Sequence, residues 1–387
     1  MSVKLKRALI DLSAGFLWIA AFAGLCFYCS SRFLISAWLA FLFGAVGLAL
    51  NYYLFVFFHE LGHVAFSKRA GLKPIKINYG AFIVDYLKNL NNLSAGARGD
   101  GLQKKQEKSN NIKISFSPCF NKNAGESSFA AVKPVRTESI KTVAFGGLSF
   151  SFIYCLAAFL VILLVNNAWL FCLFGAGACS AFYVFSINVI PIDKTNDGAL
   201  VLFNSYCGEL AKMLEFSRLL SSGADICQLE KLAADGEKNQ KVSAYSEYIR
   251  YYIAAENNAE QAVLELNNSS VKKLNSLCDE ELFTVLSELV FASSVLADER
   301  FLNENSNLIE NYFSSDFSGL SILGQLAFVR AHAAYRSALN ANEWAAALLL
   351  AYKKLVSEPQ NFSEFSPLAL KVENNLFDFY KKTFSLE

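Results

Sequence analysis

Charge is scarce in this chain, and it is scarcest in particular places. Of 387 residues only 18% are Asp, Glu, Lys or Arg, while 54% are hydrophobic. That balance excludes intrinsic disorder, a collagen-like repeat and a small disulfide scaffold as the dominant class. The net charge of +1 leaves no global electrostatic pull on nucleic acid. Residues 142–192 contain no Asp, Glu, Lys or Arg at all, and residues 1–66 contain only four basic and two acidic ones. Residues 67–141 hold 14 basic and five acidic residues, and 193–387 hold 17 basic and 27 acidic. Two charge-poor blocks, parted by a basic loop and followed by an acidic region, describe a membrane protein with a soluble appendage rather than one soluble globule.

Each block is long enough for two helices of the roughly 20 residues that a bilayer core requires. The first span is expected over about Leu12–Cys29, with Ser30, Ser31 and Arg32 as the break. The second runs from Phe33 to Phe66, longer than one crossing needs, which implies tilt or extension beyond the core. The second block divides at Asn166 and Asn167 into Val143–Val165 and Ala168–Ile190, and Pro191 ends it by removing a backbone donor. No small-x-small cleavage site follows the first apolar run, so it is read as an anchor and not as a signal peptide. Lys and Arg counts in the loops place the N-terminus, the 67–141 loop and the C-terminal domain in the cytoplasm, as a multi-pass protein of the cell membrane.

Nine cysteines are scattered along the chain with no disulfide framework among them. Cys26 and Cys29 form a C-x-x-C inside an apolar helix, where small packing residues are the expected role.

Histidine is rarer still. There are three, His59, His63 and His332, and two of them fall in His59-Glu60-Leu61-Gly62-His63. Two His at i and i+4 share one helical face, so both rings reach one metal ion. Glu60 then reaches a water on that metal and serves as its proton acceptor. Ionisable side chains in an otherwise apolar span are costly and point to function by default. The bland alternative is a polar patch that holds helices together. His332 sits between Ala331 and Ala333 in a helical stretch and reads as a satisfied core or surface residue.

FFHELGHVAFSKRAGLKPIKINYGAFIV resembles the site-2-protease family of intramembrane zinc metalloproteases. The resemblance extends over residues 33–200. It includes Asn188-Val-Ile-Pro191 followed by Asp197-Gly198, and Ala144-Phe-Gly146-Gly147-Leu148, where Gly147 stands in place of the family's commonest Pro. It implies Zn²⁺ held by His59, His63 and Asp197, with Glu60 as the catalytic residue. It also implies a substrate-binding Asn188 near the reacting carbonyl. Asn188 reads equally well as a helix-end cap. Asp197 has a competing role as the cap of the helix ALVLF, and Asp193 is the other carboxylate in reach.

After the zinc helix, IKINYGAFIVDY alternates as strands do, and an unpaired edge there would take an extended substrate by strand addition; a plain hairpin is the alternative. Residues 88–110 read as a flexible polar loop whose Lys104, Lys105 and Lys108 are solvated in preference to touching anionic lipid. From about residue 205 the pattern is helical. Helix–turn–helix pairs at SEYIRYYIAAENNAEQAVLELNN and at GQLAFVRAHAAYRSALNANEWAAALLLAYKKLVSEP, hinged at Asn340-Ala-Asn342, resemble tetratricopeptide hairpins.

The expected fold is therefore mainly α. A polytopic helical membrane domain (1–66 and 142–200) carries a small β insertion in the loop 67–141 and is followed by an α-helical, tetratricopeptide-like cytoplasmic domain (205–387). The expected function is an intramembrane zinc metalloendopeptidase that cuts membrane-embedded or membrane-proximal peptides near the cytoplasmic face. Its expected partners are a membrane protein or peptide substrate, the lipid bilayer and a protein docked on the C-terminal domain, with no nucleic acid. The alternative is a degenerate membrane scaffold that recruits partners through that domain; an intact Glu60 favours the enzyme. Four spans without a repeat give little support to a transporter.

Overall fold

In a computed structural model the chain is described for residues 3–80, 82–86, 113–116, 125–191, 196–234, 244–274, 279–314, 322–357 and 366–385. Apolar runs without interior Pro build two long helical hairpins. The first joins α1 (Val3–Phe33) to α2 (Ala37–Ser67), and the second joins α3 (Thr137–Leu164) to α4 (Ala168–Val189). All four are long and apolar enough to cross a membrane. The first break lies later than expected, at residues 34–36. Ser31 satisfies its hydroxyl on the Tyr28 carbonyl (2.9 Å) and Ser30 on that of Ile35 (2.7 Å), so neither serine interrupts the helix. Leu34 turns the chain at φ +53°, and Ser36 caps α2 by accepting from the Leu39 amide. The second break falls where the asparagines predict it. Asn167 caps α4, its side chain accepting from the amides of Trp169 and Leu170.

α2 packs against α1, α3 and α4. Large apolar side chains such as Phe16, Phe27, Phe152, Leu160 and Leu164 face outward. Where the helix backbones approach most closely, small residues stand at the contact. At Gly47 an added Cβ would meet the Leu173 backbone, and at Gly175 it would sit 2.9 Å from the Leu25 side chain. Close backbone approach at small residues is how helices associate where lipid is as apolar as the side chains themselves.

The loop between the hairpins carries an antiparallel sheet of β1 (Leu72–Asn78), β2 (Phe82–Asp85), β3 (Lys113–Phe116) and β4 (Glu126–Ala131), in the order β3-β2-β1-β4. The expected strands at 75–86 are the β1–β2 hairpin, with Ile77 opposite Val84 and Gly80 at φ +85° in the turn. β1 also pairs with β4, Ile77 opposite Ser127, across an irregularity between Pro74 and Lys76, where Pro lacks a donor for the ladder. Ile77, Tyr79 and Val84 cluster with Phe57 and Val64 of α2. That packing sets the sheet against the last turns of α2. The stretch 88–110, with Lys104, Lys105 and Lys108, lies outside the described residues, as do Asp193 and Lys194.

After α4 come α5 (Asp197–Leu202) and α6 (Asn204–Ser222), which pack at the foot of α3 through Leu200, Cys207 and Ala211 against Ile140, Val143 and Ala144. The chain divides into two compact units between Leu214 and Glu215, about ten residues beyond the expected boundary, because the first half of α6 belongs to this apolar cluster.

The second unit is helical throughout its described residues. It contains α7 (Ile226–Ala234), α8 (Ala244–Asn257), α9 (Ala259–Asn267), α10 (Asp279–Val295), α11 (Glu299–Glu304), α12 (Ser306–Phe313), α13 (Ile322–Ala338), α14 (Asn342–Ser357) and α15 (Pro367–Thr383). Both expected helix pairs form: α8 and α9 meet at Asn258, which caps α9, and α13 and α14 meet at Asn340 with φ +58°. One pair joins 14 residues to nine and the other 17 to 16, so the two do not share a repeat length. The core here consists of large side chains, among them Leu229, Ile249, Phe291, Phe328 and Tyr380. His332 lies in it, stacked on Phe313 at 4.2 Å and accepting from Arg336 Nε at 3.1 Å.

Candidate metal centre

The last two turns of α2 bury His59, Glu60 and His63 together. One turn of helix separates the two His, and their Nε2 atoms stand 3.1 Å apart. α3 crosses α2 here in close contact. A Cβ on Gly146 would lie 2.5 Å from the Gly62 carbonyl oxygen, and a Cβ on Gly62 would lie 2.9 Å from the Phe150 Cβ. The crossing presents Val143, Gly147 and Ser151 of α3, spaced by four, to the histidines. The Val143 carbonyl lies 2.9 Å from His63 Nδ1, and Ser151 Oγ lies 2.7 Å from His59 Nδ1. A carbonyl only accepts, so His63 carries its proton on Nδ1 and turns a bare Nε2 inward. Ser151, when it accepts, holds His59 in the same tautomer. Such outer hydrogen bonds orient the histidine ligands of metal sites.

Asp197 supplies the third atom. Its Oδ2 is 3.1 Å from His59 Nε2 and 3.4 Å from His63 Nε2. Asp197 reaches the site because Gly198 lies against the end of α4, where a Cβ would fall 2.5 Å from the Val189 carbonyl carbon. Asp197 is not the cap of α5. Asn196 is, accepting from the Ala199 amide at 2.8 Å while its side-chain nitrogen donates to the Ile187 and Ile190 carbonyls (3.2 and 2.5 Å). That one side chain closes α4 and opens α5, which leaves the Asp197 carboxylate to the histidines.

The fit to a metal ion follows from these distances. Four tetrahedral ligands at about 2.0–2.1 Å from zinc lie roughly 3.3–3.4 Å from one another. The three separations here are 3.1, 3.1 and 3.4 Å, and Asp197 Oδ2 is buried without a hydrogen-bond partner. Atoms offering lone pairs at such separations call for a proton or a cation shared among them. His59, His63 and Asp197 form the only group of three potential ligands that converge in this way among the described residues.

Glu60 is 1% exposed. Its Oε2 accepts from Ser127 Oγ of β4, and its Oε1 is buried with no hydrogen-bond partner. Gly125, at φ +88°, brings the turn before β4 close to that oxygen, at 3.1 Å for an added Cβ. Asn188 is half-buried in the last turn of α4, with its backbone oxygen against Gly198. The helix-end capping offered as its alternative role falls to Asn196 instead.

Gly147 stands closest of the α3 glycines to the converging side chains. A Cβ there would sit 2.6 Å from His63 Nε2 and 2.9 Å from Asp197 Oδ2, so the residue must be glycine for the site to keep its space. Ser127, Ser151 and Asn196 were not singled out by sequence reasoning. The 143–147–151 spacing on a charge-free helix was the available signal for Ser151; no local signal marks Ser127. No protein-family model, curated protein or solved structure matches the chain.

Proposed function

We propose that the chain is an intramembrane zinc metalloendopeptidase of the site-2-protease type, cutting membrane-embedded or membrane-proximal peptides near the cytoplasmic face. The observation that carries this reading is the meeting of His59, His63 and Asp197, from motifs 134 residues apart in sequence, at tetrahedral ligand spacing. Three protein ligands leave one position open, which is the mark of a catalytic zinc; structural sites close all four. Zinc, when bound there, acts as a Lewis acid and makes water nucleophilic near neutral pH. Glu60 Oε1 takes the proton from the attacking water. Ser127 holds the other carboxylate oxygen, which fixes the rotamer of the base before substrate arrives.

β4 is an edge strand among the described residues. An extended peptide added to its outer edge passes the Ser127–Glu60 pair. Strand addition also resolves a problem of substrate form, since a helix hides its peptide bonds in its own hydrogen bonds. Asn188 is proposed to lie beside the reacting carbonyl. The basic 67–141 loop supports an orientation with the metal end of the bundle at the cytoplasmic face and both termini on that side. The C-terminal helix pairs are proposed to act as a tetratricopeptide-type platform for a protein partner. The test is membrane-peptide proteomics of cells carrying wild type or Glu60→Ala. Peptides that accumulate only with Glu60→Ala are the expected result; identical peptide sets would leave the scaffold reading in its place.

A further inference from the structure

At the other end of the bundle two cysteines meet. Cys29 lies one turn before the end of α1 and Cys172 one turn after the start of α4. Their sulfurs stand 2.8 Å apart, and both residues are enclosed with Phe22, Cys26, Ala40 and Phe171. The Cys29 thiol also faces the Ala168 carbonyl at the first residue of α4 (3.6 Å). Cys26 points elsewhere, toward the Ala40 carbonyl at 3.9 Å. Among the described residues no three thiols converge as the metal ligands do, so the arrangement is a pair and not a metal cluster. The separation of 143 residues is why the sequence shows no disulfide spacing.

We propose that Cys29 and Cys172 form a disulfide that fastens α1 to α4 on the membrane face opposite the metal centre. Ala40, beside the thiols, and His59 are both in α2, 19 residues apart, which at 1.5 Å per residue is about 28 Å, a full bilayer core. If the metal end faces the reducing cytoplasm, the thiol end faces the oxidising exterior, where such bonds persist. The inference rests on the orientation proposed above, not on the proteolytic activity.

The chemistry is thiol–disulfide exchange with a low-molecular-weight or protein disulfide as oxidant. The Cys29 thiolate, having lost its proton to solvent, attacks one sulfur of the oxidant and releases the other as thiolate. The Cys172 thiolate then attacks the Cys29 sulfur of the mixed disulfide and releases the second. Two protein thiols and one external disulfide become one protein disulfide and two external thiols. Exchange takes place as the hairpins assemble, while both sulfurs are still reachable. Enclosure afterwards, with Cys29 0% and Cys172 1% exposed, shields the bond from reductants.

The test uses the full chain in native membranes. Free thiols are trapped with N-ethylmaleimide under denaturing conditions, disulfides are then reduced and labelled with iodoacetamide, and peptides are read by mass spectrometry. Cys29 and Cys172 are expected to carry the second label and Cys207 the first. In a Cys172→Ser variant Cys29 should move to the first label. The purified Cys29→Ser/Cys172→Ser variant should melt about 5 °C below the oxidised wild type, and reductant should leave that variant unmoved. First label on both cysteines of the wild type, or a bond from Cys29 to Cys26, overturns the proposal. A reporter fused in the turn at residues 34–36 separately reads which side the pair occupies, so a wrong orientation is told apart from a wrong pairing.

Discussion

In the C-terminal unit Arg330 is fully enclosed between two carboxylates. It donates to Glu288 at 2.9 Å and to Glu373 at 3.2 Å, and Tyr251 supplies a further hydrogen bond to Glu288 at 2.7 Å. In the membrane unit His59, His63 and Asp197 are as closely gathered, but they offer one another lone pairs and no fixed positive charge. Both clusters sit where water cannot screen them. One contains a fixed positive charge of its own, hydrogen-bonded to both carboxylates; the other contains none. Buried charge is therefore not in itself the sign of a site. What sets the second cluster apart is that its converging donor atoms have no fixed cation of the chain among them.

This contrast is most exposed at the base. Glu60→Gln removes the proton acceptor and leaves all three ligands, so hydrolysis should fall by roughly 10²–10⁴ while zinc content holds. His59→Ala should lose both. Elemental analysis of purified variants alongside peptide cleavage reads the difference, and a fully active Glu60→Gln ends the mechanism. Chelation should reproduce the His59→Ala result and leave the C-terminal unit's unfolding transition where it was.

Arg330→Ala tests the complete cluster. It strands Glu288 and Glu373 in an apolar core, which typically costs about 3–5 kcal/mol. The C-terminal unit should unfold at much lower denaturant, with zinc content unchanged. Replacing all three charges together, as Arg330→Met, Glu288→Leu and Glu373→Leu, should recover most of the loss. If the triple variant instead loses zinc, the two clusters are not independent.

Asp197→Asn keeps an Asn-sized side chain beside the capping Asn196 but removes the negative charge from the ligand set. Zinc affinity should drop by more than the roughly 10–100-fold that outer-shell partners cost, with helix content preserved. Asp193→Asn is the control and should change little. The reverse pattern would transfer the ligand role to Asp193.

Gly147→Ala is expected to weaken zinc binding by about tenfold, at the lower end of that range. The added methyl faces the far ends of His63 and Asp197, and both must retreat to admit it. Isothermal titration with zinc reads the affinity, and unchanged binding would show that the site has more room than the glycine suggests.

How much of this was legible in the sequence depends on distance along the chain. His59, Glu60 and His63 could be read because helical spacing is local and three His in the whole chain leave little to choose among. The charge-poor blocks pointed to four spans for the same reason: bilayer thickness imposes a length on consecutive residues. Asp197 was reachable only through its pairing with Gly198, and what settles it against the capping role is Asn196, whose side chain does that work. Ser127 was not legible. It lies 67 residues from Glu60, on a six-residue strand, and meets the base only because β4 pairs with β1 and β1 packs on α2. The first helix break was misplaced for a local reason, since a serine that bonds back to its own helix, as Ser31 does to Tyr28, looks in sequence like a serine that ends one. The Arg330 cluster left no trace at all, because Glu288, Arg330 and Glu373 are ordinary helix residues until three helices bring them together.

The smallest expected effect lies at His332, and it separates complete from incomplete clusters by acid alone. Burial, reinforced by the Arg336 guanidinium, pushes this imidazole down to about 4, against the opposing pull of Glu310. Arg336 is held there by Glu310 through hydrogen bonds of 3.0 and 2.7 Å, and Phe313 covers the ring. The folded protein thus keeps His332 neutral at pH values where the unfolded chain, with an ordinary value near 6.5, takes up a proton. Unfolding binds protons between those two values, so stability is complete above about pH 6.5 and declines as the pH falls toward 4. Because Arg336 and Glu310 are partly exposed and their influence is screened, the loss should be about 1 kcal/mol across the window. Urea unfolding of the C-terminal unit at pH 7.5 and pH 5 measures it. His332→Gln keeps an acceptor for Arg336 and has no proton to gain, so it should flatten the slope. If wild type and His332→Gln lose stability equally over that range, the acid response belongs to the Glu288–Arg330–Glu373 cluster, and that cluster is less complete than its hydrogen bonds imply.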